Sequence, residues 1–227
     1  MEAITDIPFE LDTEALCSSA RIDPESGEAA EFLDLVARAR KVARPKALYK
    51  EAYIEETAED TVTVDGVVFT SRALRKNLDG VRRVFPYVAT CGGEVDQIDL
   101  PDGDLLSVFW LDGIKAALLG VSICHLTRLL DRKYGLEKTA NMSPGSGDAS
   151  VWPIQQQREL FSLFGDVEKL IGVRLTDSFL MLPNKTVSGI RFPTEIDFQS
   201  CQLCRRENCV GRRAPFDREL WESVQHG

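Results

Sequence analysis

The sequence predicts an α+β domain, with a mixed, largely antiparallel sheet and flanking helices. Three observations carry that expectation. Strand-like and helix-like runs do not alternate regularly, so the repeated βαβ units of a parallel sheet are missing. Two strand-like runs are joined by Asp65-Gly66, a dipeptide suited to a two-residue hairpin turn. One long stretch, Leu105 to Tyr134, is apolar on nearly every helical face, as expected of a central helix.

The elements follow in order. Ile4 to Leu11 reads as a short strand. A helix carrying Leu16 and Cys17 precedes a second that Ser26 opens, with Phe32, Leu35 and Val36 on one face and an end before Pro45. From Ala47 to Phe69 the pattern is strand-like, including Thr61-Val62-Thr63-Val64 and Val67-Val68-Phe69 on either side of the turn. Ser71 to Leu78 is a short helix. Val84 to Thr90 is a buried strand that stops at Cys91-Gly92-Gly93. After the central helix comes a polar loop, Asn141 to Asp148. A helix through Leu160, Phe161 and Phe164 then starts near Pro153, a residue tolerated in a first turn. Asp177 to Leu182 and Val187 to Phe192, separated by Pro183-Asn184-Lys185-Thr186, predict a second hairpin. Residues 1–199 are expected to form one domain, residues 200–217 a cysteine-rich segment packed on it, and residues 218–227 a C-terminal tail.

Composition narrows the function. The 227 residues are 44% hydrophobic and 28% charged, within the globular range. A net charge of −9 argues against a nucleic-acid surface, which needs a cationic face. One local exception is Cys201 to Arg213, where Arg205, Arg206, Arg212 and Arg213 against Glu207 give +3. The longest apolar stretch, Leu118 to Cys124, is far shorter than the ~20 residues of a bilayer crossing. The first residues, Met1-Glu2-Ala3-Ile4-Thr5-Asp6, carry acids where a secretory signal is positive. No membrane association is expected, and the expected location is the cytoplasm. Six cysteines are too few for a disulfide scaffold, and a reducing compartment keeps them as thiols unless a metal holds them.

Three of those thiols fall within nine residues. Cys201, Cys204 and Cys209 have the spacing C-x2-C-x4-C, which lets soft thiolate ligands turn toward one centre. An iron–sulfur cluster, of the 4Fe–4S type, is the leading expectation. Structural zinc ranks lower, because zinc fingers usually show two separated ligand pairs and this chain has one triplet and only two histidines. Free thiols are the third outcome. A four-thiolate cluster needs one more ligand, and Cys91 is the candidate, since Gly92-Gly93 permit close backbone approach; its alternative is a buried small hydrophobe. Cys17 and Cys124 read as core, while His125 and His226 receive no role.

The stretch Ile171-Gly172-Val173-Arg174-Leu175-Thr176-Asp177-Ser178-Phe179-Leu180-Met181-Leu182-Pro183-Asn184-Lys185-Thr186-Val187-Ser188-Gly189 resembles the activation domain of cobalamin-dependent methionine synthase. The similarity extends back through Ser143-Pro144-Gly145 and Trp152-Pro153. It implies that family's fold, binding of S-adenosylmethionine, and docking on a cobalamin module whose inactive cobalt(II) is reduced and remethylated. It makes Asn141, Pro144, Gly145, Ser146, Gly147 and Asp148 the cofactor-binding loop. Two positions depart from the pattern: Asn141 stands where the family has an arginine for the methionine carboxylate, and Ser146 where it has a tyrosine. A bidentate charge-assisted contact worth ~1.5–3 kcal/mol is lost at Asn141, so S-adenosylmethionine is expected to bind weakly or not at all. Nothing in the chain resembles a homocysteine, folate or cobalamin module, so the corrinoid partner or methyltransferase is expected to be a separate protein. The expected function is reductive activation of that partner by an electron from the cluster. The alternatives are a noncatalytic corrinoid-binding module with a structural metal, and an S-adenosylmethionine-dependent remethylating subunit of a split methionine synthase.

Overall fold

The computed structural model describes residues 1–23, 25–148 and 150–225, so His226 lies outside the described residues. Along the chain run β1 (Glu2–Ile4), α1 (Thr13–Ala20), α2 (Gly27–Val42), β2 (Lys46–Tyr49), β3 (Ala52–Thr57), β4 (Thr61–Val64), β5 (Val67–Thr70), α3 (Arg72–Asn77), β6 (Arg83–Thr90), α4 (Leu105–Tyr134), β7 (Thr139–Met142), α5 (Gln157–Ser162), α6 (Val167–Ile171), β8 (Arg174–Leu175), β9 (Met181–Leu182), β10 (Thr186–Pro193) and α7 (Arg218–Gln225).

Strand β6 organises the sheet. On one side it pairs with β2 (Lys46↔Thr90, Tyr49↔Tyr87) and, nearer its start, with β3 (Ala52↔Val84). On the other side β10 runs along it from Thr186↔Thr90 to Arg191↔Phe85, and β7 pairs with the far edge of β10 through Ile190↔Met142 and Arg191↔Asn141. With β1, β4 and β5 these make an eight-stranded sheet, and every pairing is antiparallel. The predicted fold class is therefore the observed one. The β4–β5 hairpin turns at Asp65-Gly66, whose φ values of 45° and 79° are what a type I′ turn requires.

Alternation along β6 divides the core. Val84 and Val88 pack with Trp152, Phe192 and residues of α3, α5 and α6 on one face. Phe85, Tyr87 and Ala89 face α4 through Leu126 and Leu130 on the other. Burial on both faces explains why this strand reads as an unbroken apolar run. The first half of α4 packs instead on α1 and α2, where Phe32 meets Trp110 edge-on at 5.5 Å. By length and hydropathy α4 would suffice to cross a bilayer, but Trp110, Ile114, Leu118, Leu126 and Leu130 are buried within the protein itself.

Several local expectations change. Only Glu2–Ile4 pair as a strand, and the chain beyond, interrupted by Pro8, buries Ile7 and Leu11 without regular structure. The second hairpin does not form: β9 pairs with β8, and β10 joins β6 and β7, because Ile190 and Phe192 are needed in the core between them. Asn141 and Met142, expected in a loop, are strand residues. Cys124 is exposed on the outer surface of α4 rather than buried. Arg218–Gln225 of the expected tail form α7, capped by Asp217, whose Oδ1 accepts the Leu220 N–H at 2.9 Å, and Val224 is buried against the core.

Candidate functional site

The loop after β7 is held by its own backbone and by one buried glutamine. The Gly145 N–H donates to the Trp152 carbonyl at 2.8 Å, and the Ser146 N–H to the Ser143 carbonyl at 3.1 Å. Gln157, almost fully buried, donates from Nε2 to the Pro144 carbonyl at 3.4 Å and accepts from Ser188 Oγ at 2.7 Å. Gly147 has a φ of +85°, and a Cβ there would lie 3.4 Å from the Cys204 Cβ, so the loop comes directly against the cysteine segment.

That segment begins in a 3₁₀ turn, Ser200–Leu203, anchored by buried Leu203. Two links join it to the loop. Ser200 Oγ donates to the Asn141 carbonyl at 3.2 Å, and Arg205 Nε and Nη2 both donate to Asp148 Oδ2 at 2.8 Å. The same guanidinium lies 4.8 Å over the Trp221 ring of α7. Hydrogen bonds from the Ser150 backbone and side chain, with the Arg205 charge, hold the Asp148 carboxyl below the usual carboxylate range. Arg212 is the hub of the segment: it donates to the carbonyls of Cys201, Cys204, Arg206 and Ala214.

Cys201 and Cys204 are half-buried and Cys209 is exposed. The Arg213 N–H donates to Cys201 Sγ at 3.4 Å, the kind of contact that backbone amides make to the sulfurs of cluster-bound cysteines. In donor type and spacing the triplet suits a thiolate-bound centre. Among the described residues, however, no three His, Cys, Asp or Glu side chains are gathered closely enough to hold a metal ion. Cys91 is not brought to the triplet. It is 0% exposed, inside the core formed by α1, α2 and α4, and burial pushes its thiol up to about 11. The reason is strand order. β10 lies beside Thr90 at Thr186 and beside Asn141 at Arg191, so Cys91, just past Thr90, leaves the sheet at one end of β10, while Ser200, bonded to Asn141, meets it at the other.

Between α4, the β7–β10 ladder and the cysteine segment is a cavity of about 340 Å³. Asn141, Ser143, Ser146 and Cys201 line it, together with Tyr87, Arg191 and Arg213, which the sequence reading did not assign to the site. The available signal was Arg191 itself, a full charge inside a strand read as buried. On the other side of the loop a second cavity, about 420 Å³, is lined by Pro144, Gly145, Phe179 and Met181. Its wall includes the turn from Thr176 to Leu180, closed by the Leu180 N–H donating to Thr176 Oγ1 at 3.0 Å. The loop Asn141 to Asp148 thus separates two cavities, and the cysteine segment borders only the first.

No family model matches this chain, and no curated protein matches it in sequence. In three dimensions it is similar to the crystal structure of the MetH reactivation domain bound to AdoHcy, with a TM-score of 0.56 and 14% identity over 87% of this chain and 82% of that one. The chain therefore has the fold of that reactivation domain.

Proposed function

We propose that this chain is an accessory protein of cobalamin-dependent methyl transfer, which docks on a separate corrinoid protein and passes it an electron from an iron–sulfur cluster on Cys201, Cys204 and Cys209. One observation carries the proposal. On a reactivation-domain fold, the only closely spaced thiols are fastened to the loop Asn141 to Asp148 through Arg205–Asp148 and Ser200–Asn141. A cluster on these thiolates supplies one electron at a time, at a potential tuned by hydrogen bonds and nearby charge. The protein's own residues prepare that environment. Arg213 offers a backbone N–H to Cys201, Arg212 holds the carbonyls of Cys201 and Cys204, and Arg205 ties the segment to the loop. The loop, with Pro144, Gly145, Ser146 and Gly147, forms the docking surface, and the protein works in the reducing cytoplasm. Because Cys91 is remote, the fourth position of a 4Fe–4S cluster falls to another donor.

Cys201 and Cys204, with exposed Cys209 as the third thiolate, would hold the cluster. Anaerobic reconstitution with iron and sulfide tests this. Stoichiometric iron and sulfide that are lost in Cys204→Ser support the cluster, while stoichiometric zinc with no iron after reconstitution rules it out. The AdoHcy in the similar structure favours a second reading, in which the chain takes an S-adenosylmethionine-related ligand at the loop as a remethylating subunit. Micromolar binding of S-adenosylmethionine by calorimetry would establish it over the electron relay.

A further inference from the structure

We propose that the cavity between α4, the β7–β10 ladder and the cysteine segment binds a small organic carboxylate, with Arg191 and Arg213 holding the carboxylate group. Two arginines line this cavity and no acidic side chain does, in a protein whose net charge is −9. Arg191 is 7% exposed. Its Nη2 is committed to Asp131 on α4 at 2.8 Å, but its Nε is buried with no hydrogen-bond partner. A buried guanidinium donor left unpaired is a cost that proteins rarely leave standing, and an acceptor entering the cavity would relieve it.

Arg213 is the second cation. Its side chain has no ion-pair partner among the described residues, and its backbone is fixed by the N–H contact to Cys201. Tyr87 lines the cavity with both charges. Burial pushes its hydroxyl upward, while a hydrogen bond with Ser143 and the charges of Arg191 and Arg213 pull it back. Strand register adds Asn141, which sits opposite Arg191 on the same face. Ile123, Leu126, Val187 and Phe198 supply an apolar wall, which suits the carbon body of an organic acid better than a bare inorganic anion.

The inference is independent of the electron-transfer reading, since it concerns the iron-free protein and needs no cluster. Its test uses the full chain with free thiols, in 0.1 M chloride, titrated with butyrate, with succinate and with inorganic phosphate. Calorimetry reads binding, and mass spectrometry reads the alkylation rate of Cys201, which lines the cavity, against that of exposed Cys209. A carboxylate is expected to bind saturably and to slow alkylation of Cys201 without slowing Cys209. Arg213→Gln, an exposed change that leaves the core alone, is expected to weaken binding at least ten-fold. Arg191→Met is expected to do the same, and Asp131→Asn, which keeps the arginine, to preserve binding. Arg206→Gln, outside the cavity, serves as the control and should have no effect. Carboxylate binding that is absent, unchanged in Arg213→Gln, or equally reduced in Arg206→Gln overturns the proposal. So does saturable binding of phosphate alone.

Discussion

Replacing Arg212 with methionine keeps the aliphatic stem and removes the donors that reach four carbonyls of the cysteine segment. A hydrogen bond from a charged donor is worth about 1.5–3 kcal/mol when well shielded. Arg212 is only half-buried, and two of its contacts, to Cys201 and Cys204, are long at 3.2 Å, so solvent screening reduces each to under about 1 kcal/mol. Together they contribute about 2–4 kcal/mol to the local stability of the segment. At about 1.4 kcal/mol per decade, amide protection within it falls roughly 30- to 700-fold. The reporters are the Cys204 N–H, bonded to the Cys201 carbonyl, and the Asp217 N–H, bonded to the Gln202 carbonyl. Hydrogen exchange at these amides, with Val88 in the middle of the sheet as reference, measures the effect. The global melting temperature should scarcely move, because Leu203, which anchors the segment in the core, is left in place. Protection at Cys204 and Asp217 unchanged within two-fold would refute the idea that one guanidinium organises the loop.

Three further outcomes follow from the same geometry. Iodoacetamide at pH 8 should label Cys209 rapidly and leave Cys91 unmodified in the folded protein, since Cys91 is buried and its thiol is pushed up to about 11; equal labelling by mass spectrometry would contradict its placement. Gly189→Ala places a Cβ 2.5 Å from the Met142 carbonyl oxygen and 2.6 Å from Ser143 Oγ, which costs about 1–3 kcal/mol by overpacking and roughly 2–12 °C in melting temperature. Gly113→Ala, with open space around the new Cβ on α4, should instead stabilise by about 0.5–1 kcal/mol, and thermal melts showing the two changes alike would contradict the β7–β10 packing. The Asp148 carboxyl is held below its unfolded value of about 3.9, so its contribution is present above that pH and is lost as pH falls through the folded value. The stability gap between the wild type and Asp148→Asn should therefore narrow below about pH 4; a gap constant from pH 7 to pH 3 in thermal melts would show that Asp148 does no such work.

What the sequence made legible was local. Asp65-Gly66 declared its turn because few other dipeptides tolerate two positive φ values, and α4 and β6 announced themselves by apolar runs too long or too continuous for a surface element. The spacing of Cys201, Cys204 and Cys209 was legible for the same reason, since neighbours in sequence need no knowledge of the fold to be neighbours in space. Choices between distant segments were not legible. The partner of β10, and with it the distance from Cys91 to the triplet, depends on strand order, which no window of sequence contains. Cys124 was misplaced because a helix apolar all round does not say which face is covered. Arg191 was overlooked because its neighbours Ile190 and Phe192 read as core, although a charge between them was itself the clue.

The most direct measurement mixes anaerobically reconstituted protein, reduced with dithionite and then freed of it, with a cobalt(II) corrinoid protein from the same cells, and follows cobalt by its visible spectrum. The predicted result is formation of cobalt(I), or of methylcobalt when a methyl donor is present to trap it, at a rate that falls with loss of iron in Cys204→Ser. A corrinoid protein that neither binds nor changes state while iron and sulfide remain stoichiometric on the chain would contradict both the docking role and the electron transfer.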